Sequence, residues 1–326
     1  MPRPRSGWRL STGFSISTIR ACGSGNLLTP VSDQPRAWIS ITSGELTAQI
    51  DPHGAQLSAL QDRDSHDLLW NGDAKVWAGR APLLFPIVGV LVGGTYRLGP
   101  KSYALSRHGF ARDKDFSVES RNSSSATLRL RADAATQQVY PFQFELDVRY
   151  ELLGATLSVT TTVRNLSATD MPASLGYHPG FRWPLPYGQP RAAHFIEFET
   201  DEPDEVRRID AAGLLTPARH PTPILNRRLD LTDALFQDDV LILDRVRSRS
   251  VTYGGREGAR LRIGFPDTTY LGLWTKPGAP FICIEPWHGI TDPQGFSGDF
   301  SRKPGVFVLK PAAAFAAKMD ITLMKA

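Results

Sequence analysis

The sequence has few cysteines and no long apolar run. Residues 81–92 are the most apolar stretch, but two prolines and a glycine interrupt it, well short of the roughly 18 apolar residues that a membrane helix needs. We therefore expect no membrane-spanning segment. Cys22 and Cys283 are the two cysteines, too few for a disulfide framework, so we expect a cytoplasmic protein.

The folded body also lacks an excess of charge. The chain carries a net charge of +4, but residues 1–36 hold five arginines and one acid, which leaves residues 37–326 neutral. A neutral body gives no basic surface that could follow a phosphate backbone, so we expect no nucleic-acid partner.

The first 36 residues contain no acid before Asp33 and are rich in serine, threonine, glycine and proline. Organelle transit peptides and wrongly extended reading frames share this composition. We expect residues 1–36 to be a disordered or spurious extension and residues 37–326 to form the domain.

Beyond residue 37, no segment shows a sustained helical stripe of apolar residues; residues 312–317 come closest. Apolar and polar residues instead alternate through residues 142–150 and 157–163, on either side of Gly154, which predicts a hairpin. The same alternation predicts short strands at residues 38–50, 126–131, 194–200, 240–243, 250–253, 260–265, 270–275, 281–285, 305–310 and 318–324. We predict an all-β fold, a single large antiparallel β-sandwich.

The segment FICIEPWHG, residues 281–289, places Glu285 in an apolar run. Alternation puts Phe281, Cys283 and Glu285 on one face of the strand, and Pro286 is expected to end the strand there. Burial would raise the basicity of the carboxylate toward the range of a general base, whereas an ion pair with an arginine would make Glu285 structural.

Three further segments carry groups capable of chemistry. His178 in LGYHPGF lies between two glycines that let other groups approach its backbone. His108 and Arg112 lie in RHGFARD, where a turn histidine and a surface pair of Arg112 with Asp113 are the plainer interpretations. Asp238 and Asp239 interrupt LFQDDVLIL and would face opposite ways on a strand, so at most one of them faces a site.

Five segments together resemble the aldose 1-epimerase (galactose mutarotase-like) family, in particular its LacX-like branch. In chain order they are APLLFPIVG (81–89), HGFARD (108–113), LGYHPGF (175–181), SRSVTY (248–253) and LWTKPGAPFICIEPWHGITD (273–292). The resemblance covers residues 38–324 and leaves only the N-terminal segment outside.

The resemblance implies a supersandwich whose concave face binds a hexose, free or phosphorylated, and an isomerase that interconverts its α and β anomers. It implies that Glu285 is the general base, that His178 is the general acid, and that His108 and Asp239 contact the sugar. We expect the base and the acid on opposite sides of the sugar, with neither a metal nor a redox cofactor. We expect a monomer or a homodimer.

One departure concerns the residue after FPIVG, where such proteins commonly carry an arginine and this chain has Val90. Arg80 and Arg112 are the candidates to replace that contact. Trp183, Trp274 and Trp287 are candidates for stacking on the sugar ring or for the core.

Two rival interpretations remain. The same fold could bind a sugar without turning it over, or His108, His178, Glu285 and His288 could hold zinc or manganese. Neither the spacing of these four residues nor their order forms a local metal motif.

Overall fold

The structure is a computed structural model that describes residues 37–325, so the predicted extension at residues 1–36 lies outside the described residues. Within that range, no helix has both the length and the apolar character needed to cross a membrane.

The described residues form 24 β-strands, which account for most of the regular structure. In chain order they are Ile39–Thr42 (β1), Leu46–Asp51 (β2), Gln56–Asp62 (β3), Leu83–Leu84 (β4), Thr95–Leu98 (β5), Lys101–Ala104 (β6), Ser117–Arg121 (β7), Ser125–Arg131 (β8), Phe144–Leu153 (β9), Thr156–Asn165 (β10), Met171–Ala173 (β11), Leu175–Tyr177 (β12), Gly180–Arg182 (β13), Phe195–Phe198 (β14), Val206–Ile209 (β15), Leu215–His220 (β16), Arg228–Asp230 (β17), Leu241–Leu243 (β18), Ser250–Gly254 (β19), Arg260–Gly264 (β20), Tyr270–Trp274 (β21), Phe281–His288 (β22), Phe307–Leu309 (β23) and Ala314–Met324 (β24).

Helical structure is scarce within residues 37–325. The one α-helix is Ala134–Val139 (α1), which Asp133 caps by accepting a hydrogen bond from the Thr136 amide. Single 3₁₀ turns occur at Val92–Gly94, Ala111–Asp113, Arg191–Ala193, Asp233–Phe236 and Phe300–Arg302. The best helical candidate in the sequence, residues 312–317, instead leads into strand β24.

Two large antiparallel sheets dominate the fold. One has nine strands in the order β17-β14-β19-β20-β24-β10-β9-β8-β7. The other runs β16-β15-β18-β21-β22-β12-β4, with β13 also paired to β22. A three-stranded sheet, β1-β2-β3, and the pairs β5-β6 and β11-β23 complete the strands. The predicted hairpin is the β9-β10 pair, in which Leu153 lies opposite Thr156.

One hydrophobic core lies between the two large sheets. Leu146 and Val159 of the nine-stranded sheet belong to the same buried cluster as Leu273, Ile282 and Ile284 of the eight-stranded sheet. Burying apolar side chains from both facing sheets is what holds a sandwich together. The predicted all-β antiparallel sandwich is confirmed.

Strand β22 is buried on both of its faces, and this decides where the site lies. Ile282 and Ile284 point into the core, whereas Phe281 and Cys283 belong to a separate cluster on the other side of the sheet. Alternation therefore puts Glu285 and Trp287 on that second face, outside the sandwich core.

Candidate active site

Glu285 lies in the middle of a central strand, not at a strand end. Strand β22 continues through Pro286 to His288, and Pro286 lies opposite Leu271 of β21. The nitrogen of Pro286, like that of Ile284, points away from β21 and toward the side on which β22 pairs with β12 and β13. The chain on that side is interrupted between β12 and β13. Pro286 is tolerated because its missing N–H faces this interruption. The predicted end of the strand at Pro286 is therefore wrong.

His178 occupies that interruption. Residues 178 and 179 bulge out between β12 and β13, which pair with β22 on either side of them. The bulge brings Nε2 of His178 to 3.2 Å from Oε2 of Glu285. Both side chains are buried, with 1% of Glu285 exposed. The two groups predicted to act as base and acid are therefore in direct contact, rather than on opposite sides of a cavity.

Glycines make room for the aromatic rings around this pair. A Cβ on Gly176 or Gly272 would lie 2.8 or 2.5 Å from the indole of Trp287, so these two positions let that ring lie against the sheet. A Cβ on Gly180 would lie 2.9 Å from the ring of Trp77. The prediction that Gly176 and Gly180 permit close approach is confirmed.

The aromatic rings also orient and enclose the pair. Nε1 of Trp287 donates a hydrogen bond of 3.2 Å to Oε2 of Glu285, the same oxygen that contacts His178. The ring of Trp77 lies 5.1 Å from that of His178, and the ring of Trp274 meets it edge-on at 5.7 Å. These rings exclude water from one side of the pair.

Burial pushes both members of the pair toward their neutral forms. Desolvation raises the pKa of Glu285 well above its usual value, and the nearby charge of Asp239 adds to the rise, against the Trp287 hydrogen bond. Desolvation also lowers the pKa of His178, to about 3, with a further contribution from the positive charge of Arg112. Both shifts favour the form of the pair in which Glu285 carries a proton and the His178 imidazole is neutral.

His108 is fixed in a strained turn next to the pair. It has a φ of +66°, and its amide donates to the Gly89 carbonyl at 2.8 Å while its Nδ1 accepts from the Gly89 amide at 3.1 Å. Because Nδ1 is an acceptor, the proton of the neutral ring is on Nε2. Burial, reinforced by the charges of His178, Arg112 and Arg107, holds its pKa well below the usual range.

A cavity of about 180 Å³ opens over these groups on the outer face of the eight-stranded sheet. The predicted site residues all line it, namely Glu285, His178, His108, Asp239, Arg112 and Trp287. Sequence reasoning missed Trp77, Arg107 and Thr291, which come from loops without a period-two pattern. Arg107 precedes the HGFARD segment directly, and that adjacency was the available signal.

The acidic pair at residues 238 and 239 is not on a strand. Both residues lie in the turn before β18, and Asp239 has a φ of +64°. Its Oδ1 accepts a 2.7 Å hydrogen bond from the amide of Val240. The turn, rather than strand alternation, brings Asp239 to the cavity, so the strand interpretation was wrong although the chosen residue lines the site.

Three other candidates lie elsewhere. Trp183 is buried and donates through Nε1 to the Arg191 carbonyl, which makes it a core residue. Arg80 donates to the Ser58 carbonyl and lies over the Trp38 ring, outside the cavity lining. Trp274, in contrast, lines the cavity.

The predicted four-residue metal set is not assembled. His288 lies three residues beyond Glu285 on the same strand, so it faces the other side of the sheet, where its ring meets that of Phe315. A different trio converges: one donor atom each from His178, Cys283 and Glu285 lie within 4.8 Å of one another. Burial raises the pKa of the Cys283 thiol well above its usual value, so this trio would give up protons to bind a metal.

The family can now be assigned from comparison with known proteins. The sequence profile of the aldose 1-epimerase family matches residues 38–300. The chain belongs to the aldose 1-epimerase family. The predicted resemblance, including that to the LacX-like branch, is confirmed.

Individual relatives agree with this assignment. The chain is 34% identical to chromosomal protein LacX of Lactococcus lactis subsp. lactis over 88% of its own length and 99% of that protein. A galactose mutarotase-like protein from Lactobacillus casei superimposes with a TM-score of 0.83 at 30% identity, covering 88% of this chain and all of that one. A galactose mutarotase related enzyme from Lactobacillus acidophilus gives a TM-score of 0.82 at 30% identity, over 88% and 97% of the two chains.

Proposed function

We propose that this member of the aldose 1-epimerase family is an isomerase that interconverts the α and β anomers of an aldose, with Glu285 and His178 as the acid–base pair. The observation that carries the proposal is the 3.2 Å contact between Oε2 of Glu285 and Nε2 of His178 at the floor of a cavity lined by aromatic rings. A buried acid and base in contact, in a cleft, are what proton transfer to a bound sugar requires.

The adjacency of the two groups suits this reaction. The anomeric hydroxyl oxygen and the ring oxygen of a pyranose are bonded to the same carbon, so neighbouring groups can serve both. In ring opening, the Glu285 carboxylate takes the hydroxyl proton while Nε2 of the His178 imidazolium donates a proton to the ring oxygen. The bond from the anomeric carbon to the ring oxygen breaks, and the aldehyde carbonyl forms.

Ring closure on the other face reverses these transfers. After rotation about the bond between the first two carbons, Glu285 returns a proton to the carbonyl oxygen and His178 removes one from the hydroxyl that attacks. The pair holds one proton at the start and at the end of the reaction. While the sugar is open, Glu285 carries that proton and His178 is neutral. Burial favours that neutral form, so the site is matched to the intermediate.

The surrounding residues have supporting roles in this scheme. His108 presents a neutral ring whose Nδ1 is already occupied by Gly89, which leaves Nε2–H to donate to a sugar oxygen. Trp77, Trp274 and Trp287 supply apolar surface for the ring carbons. Asp239, Arg107 and Arg112 supply polar contacts at the rim.

The test is the rate at which freshly dissolved single anomers reach equilibrium, followed by polarimetry across a panel of free and phosphorylated aldoses. We expect the protein to accelerate at least one of them and Glu285→Gln to lose about 10²-fold or more of that acceleration. An intact protein that is no faster than the variant with every sugar would favour the non-catalytic sugar-binding alternative.

A further inference from the structure

A buried thiol lies beside the acid–base pair and has no role in the proposed reaction. Cys283 precedes Glu285 by two residues on β22, on the same face of the sheet, and is fully buried. One donor atom each from Cys283, Glu285 and His178 lie within 4.8 Å of one another. A cysteine sulfur, an imidazole nitrogen and a carboxylate oxygen are the ligands that zinc takes in proteins. The trio therefore has the composition of a zinc site.

The spacing of the three donors is close to that around a tetrahedral ion. With bonds of about 2.0–2.2 Å, a nitrogen and an oxygen ligand of tetrahedral zinc lie about 3.3 Å apart. Nε2 of His178 and Oε2 of Glu285 lie 3.2 Å apart, so an ion can take the place of a proton at this contact without separating the two groups. A sulfur ligand lies about 3.6 Å from the other donors. The thiol of Cys283, within 4.8 Å of them, has little distance to move.

The cavity gives an ion a route to the trio. Glu285 and His178 line the cavity, whereas Cys283 is fully buried and does not belong to its lining. An ion that enters from solvent therefore meets the acid–base pair first. Three protein ligands leave the fourth position of a tetrahedral ion to a water molecule from the cavity.

Charge balance favours a divalent cation at this buried place. Burial raises the pKa of the Cys283 thiol, so the thiol is protonated, and the acid–base pair with its one proton is neutral as a whole. Zn²⁺ displaces both protons, and the carboxylate and thiolate that remain cancel its two positive charges. The trio is neutral before and after the exchange, which avoids burying a net charge.

The ring of His178 is not locked to another partner. Only 9% of His178 is exposed, and its Nδ1 has no hydrogen-bond partner on any other residue within 37–325. A histidine that holds a permanent metal usually has its second nitrogen fixed by a carboxylate, a carbonyl or water. The missing support at Nδ1 leaves both tautomers accessible and indicates a site that binds its ion reversibly.

We infer that His178, Cys283 and Glu285 bind Zn²⁺ reversibly and that the bound ion switches the acid–base pair off. This inference rests on the proposed function for the role of the pair. An ion held by Nε2 of His178 and an oxygen of Glu285 takes the place of the proton that these groups exchange with a sugar, so neither can act as acid or base. The ion is an inhibitor rather than a cofactor.

The first experiment detects the site with Co²⁺, which replaces Zn²⁺ in tetrahedral sites and makes its ligands visible by absorption. The protein is purified without a histidine tag. Cys22→Ser leaves Cys283 as the one cysteine of the chain, so a thiolate-to-cobalt charge-transfer band in this variant comes from Cys283. We expect the band to saturate at one equivalent of Co²⁺ and to disappear when Zn²⁺ is added. Absence of the band in Cys22→Ser overturns the inference.

The second experiment measures inhibition. Anomer exchange by NMR, corrected for the rate with the same ion and no protein, should fall about tenfold or more in excess Zn²⁺ and return on addition of EDTA. Mg²⁺ should have no effect, because it prefers oxygen ligands. In Cys283→Ala the Zn²⁺ concentration for half inhibition should rise about tenfold or more. Equal values in Cys283→Ala and the wild type contradict the inference.

A matched control removes a ligand from a different cluster. Asp62, Asp64 and His66 also bring three donor atoms within 4.8 Å of one another, at a largely exposed place away from the cavity. His66→Asn should therefore leave the Zn²⁺ concentration for half inhibition unchanged. If His66→Asn raises it as much as Cys283→Ala does, the inhibitory ion is not held by the trio, and the inference fails.

Binding measurements keep this test independent of turnover. If the metal-free protein interconverts no aldose, the proposed function fails, and the cobalt band and calorimetric titration with Zn²⁺ then decide the metal site alone. Zn²⁺ affinity that falls about tenfold or more in Cys283→Ala, but not in His66→Asn, supports the site. Zn²⁺ that binds through Cys283 while anomer exchange continues at its full rate overturns the inhibitory role.

Discussion

At the scale of the residue, the site depends on how two side chains share one proton. Adding a second proton to the pair would leave a buried imidazolium beside a neutral acid, and removing the proton would leave a buried carboxylate beside a neutral imidazole. Burial opposes both changes, as the lowered pKa of His178 and the raised pKa of Glu285 indicate. The one-proton form therefore persists over a wide range of pH.

This predicts a flat pH profile. On the acid side, kcat/KM should decline only at a pH well below the usual histidine pKa of 6.5, toward the pKa of about 3 of His178. On the alkaline side, it should decline only at a pH well above the usual glutamate pKa of 4.5. Exchange NMR on a neutral aldose between pH 5 and 8, corrected for the buffer rate, should show less than about a twofold change. A limb of unit slope centred near pH 6.5 would show instead that His178 titrates as a free histidine.

At the scale of the element, Gly89 in the loop after β4 lies against both the segment after β22 and the loop that carries His108. Gly89 has a φ of +75°, and a Cβ on it would lie 2.3 Å from Cβ of Thr291. The same glycine exchanges two hydrogen bonds with His108. The backbone at Gly89 thus sets both the spacing of the loops and the position of the imidazole.

Substituting Gly89 should disturb stability and activity together. Gly89→Ala forces Thr291 away and adds positive-φ strain, so we expect a loss of about 2–4 kcal/mol in the free energy of unfolding and a lower kcat/KM. Gly154→Ala is the control, because Gly154 has a φ of +54° but nothing within 4 Å of its Cβ position; strain alone should cost about 1 kcal/mol. Urea unfolding of the two variants provides the comparison, and equal losses would contradict the account.

The sequence predicted the strands whose two faces have different surroundings, because their residues alternate. It missed the features that depend on tertiary contacts. Alternation located the β9-β10 hairpin and the face of Glu285, because the period of a strand is visible in the residues themselves. The bulge that brings His178 to Glu285 has no such signature, since it depends on where β12 and β13 pair with β22. For the same reason the sequence placed Pro286 at a strand end and Asp239 on a strand.

At the scale of the whole molecule, a buried ion pair and a hydrogen bond hold distant parts of the chain together next to Thr291, which lines the cavity. Nζ of Lys303 lies 2.9 Å from Oδ1 of Asp292, and both side chains are almost completely buried. The other oxygen of Asp292 accepts a 2.8 Å hydrogen bond from the amide of Val92, 200 residues earlier. Asp292 therefore joins two parts of the segment after β22 to each other, through the ion pair, and to the loop that follows β4, through the hydrogen bond.

Removing one partner of this pair should be costly. Lys303→Met leaves the Asp292 carboxylate buried without its counter-ion, so we expect the free energy of unfolding to fall by about 3–5 kcal/mol. The control is Lys310→Met, which breaks an exposed pair with Asp170 and should cost less than about 1 kcal/mol. Chemical denaturation of both variants at pH 7 tests the difference, and a Lys303→Met variant as stable as Lys310→Met would refute the structural role.

The most direct test of the account is whether Glu285 and His178 act as one unit. We would measure anomer exchange by NMR for Glu285→Gln, His178→Asn and the double variant, with His288→Asn as a buried histidine on the opposite face of β22. Each single variant should lose about 10²-fold or more, and the double variant should lose little beyond the worse single one, while His288→Asn retains exchange. Losses that multiply in the double variant, or single variants as fast as the wild type, would contradict a shared-proton pair.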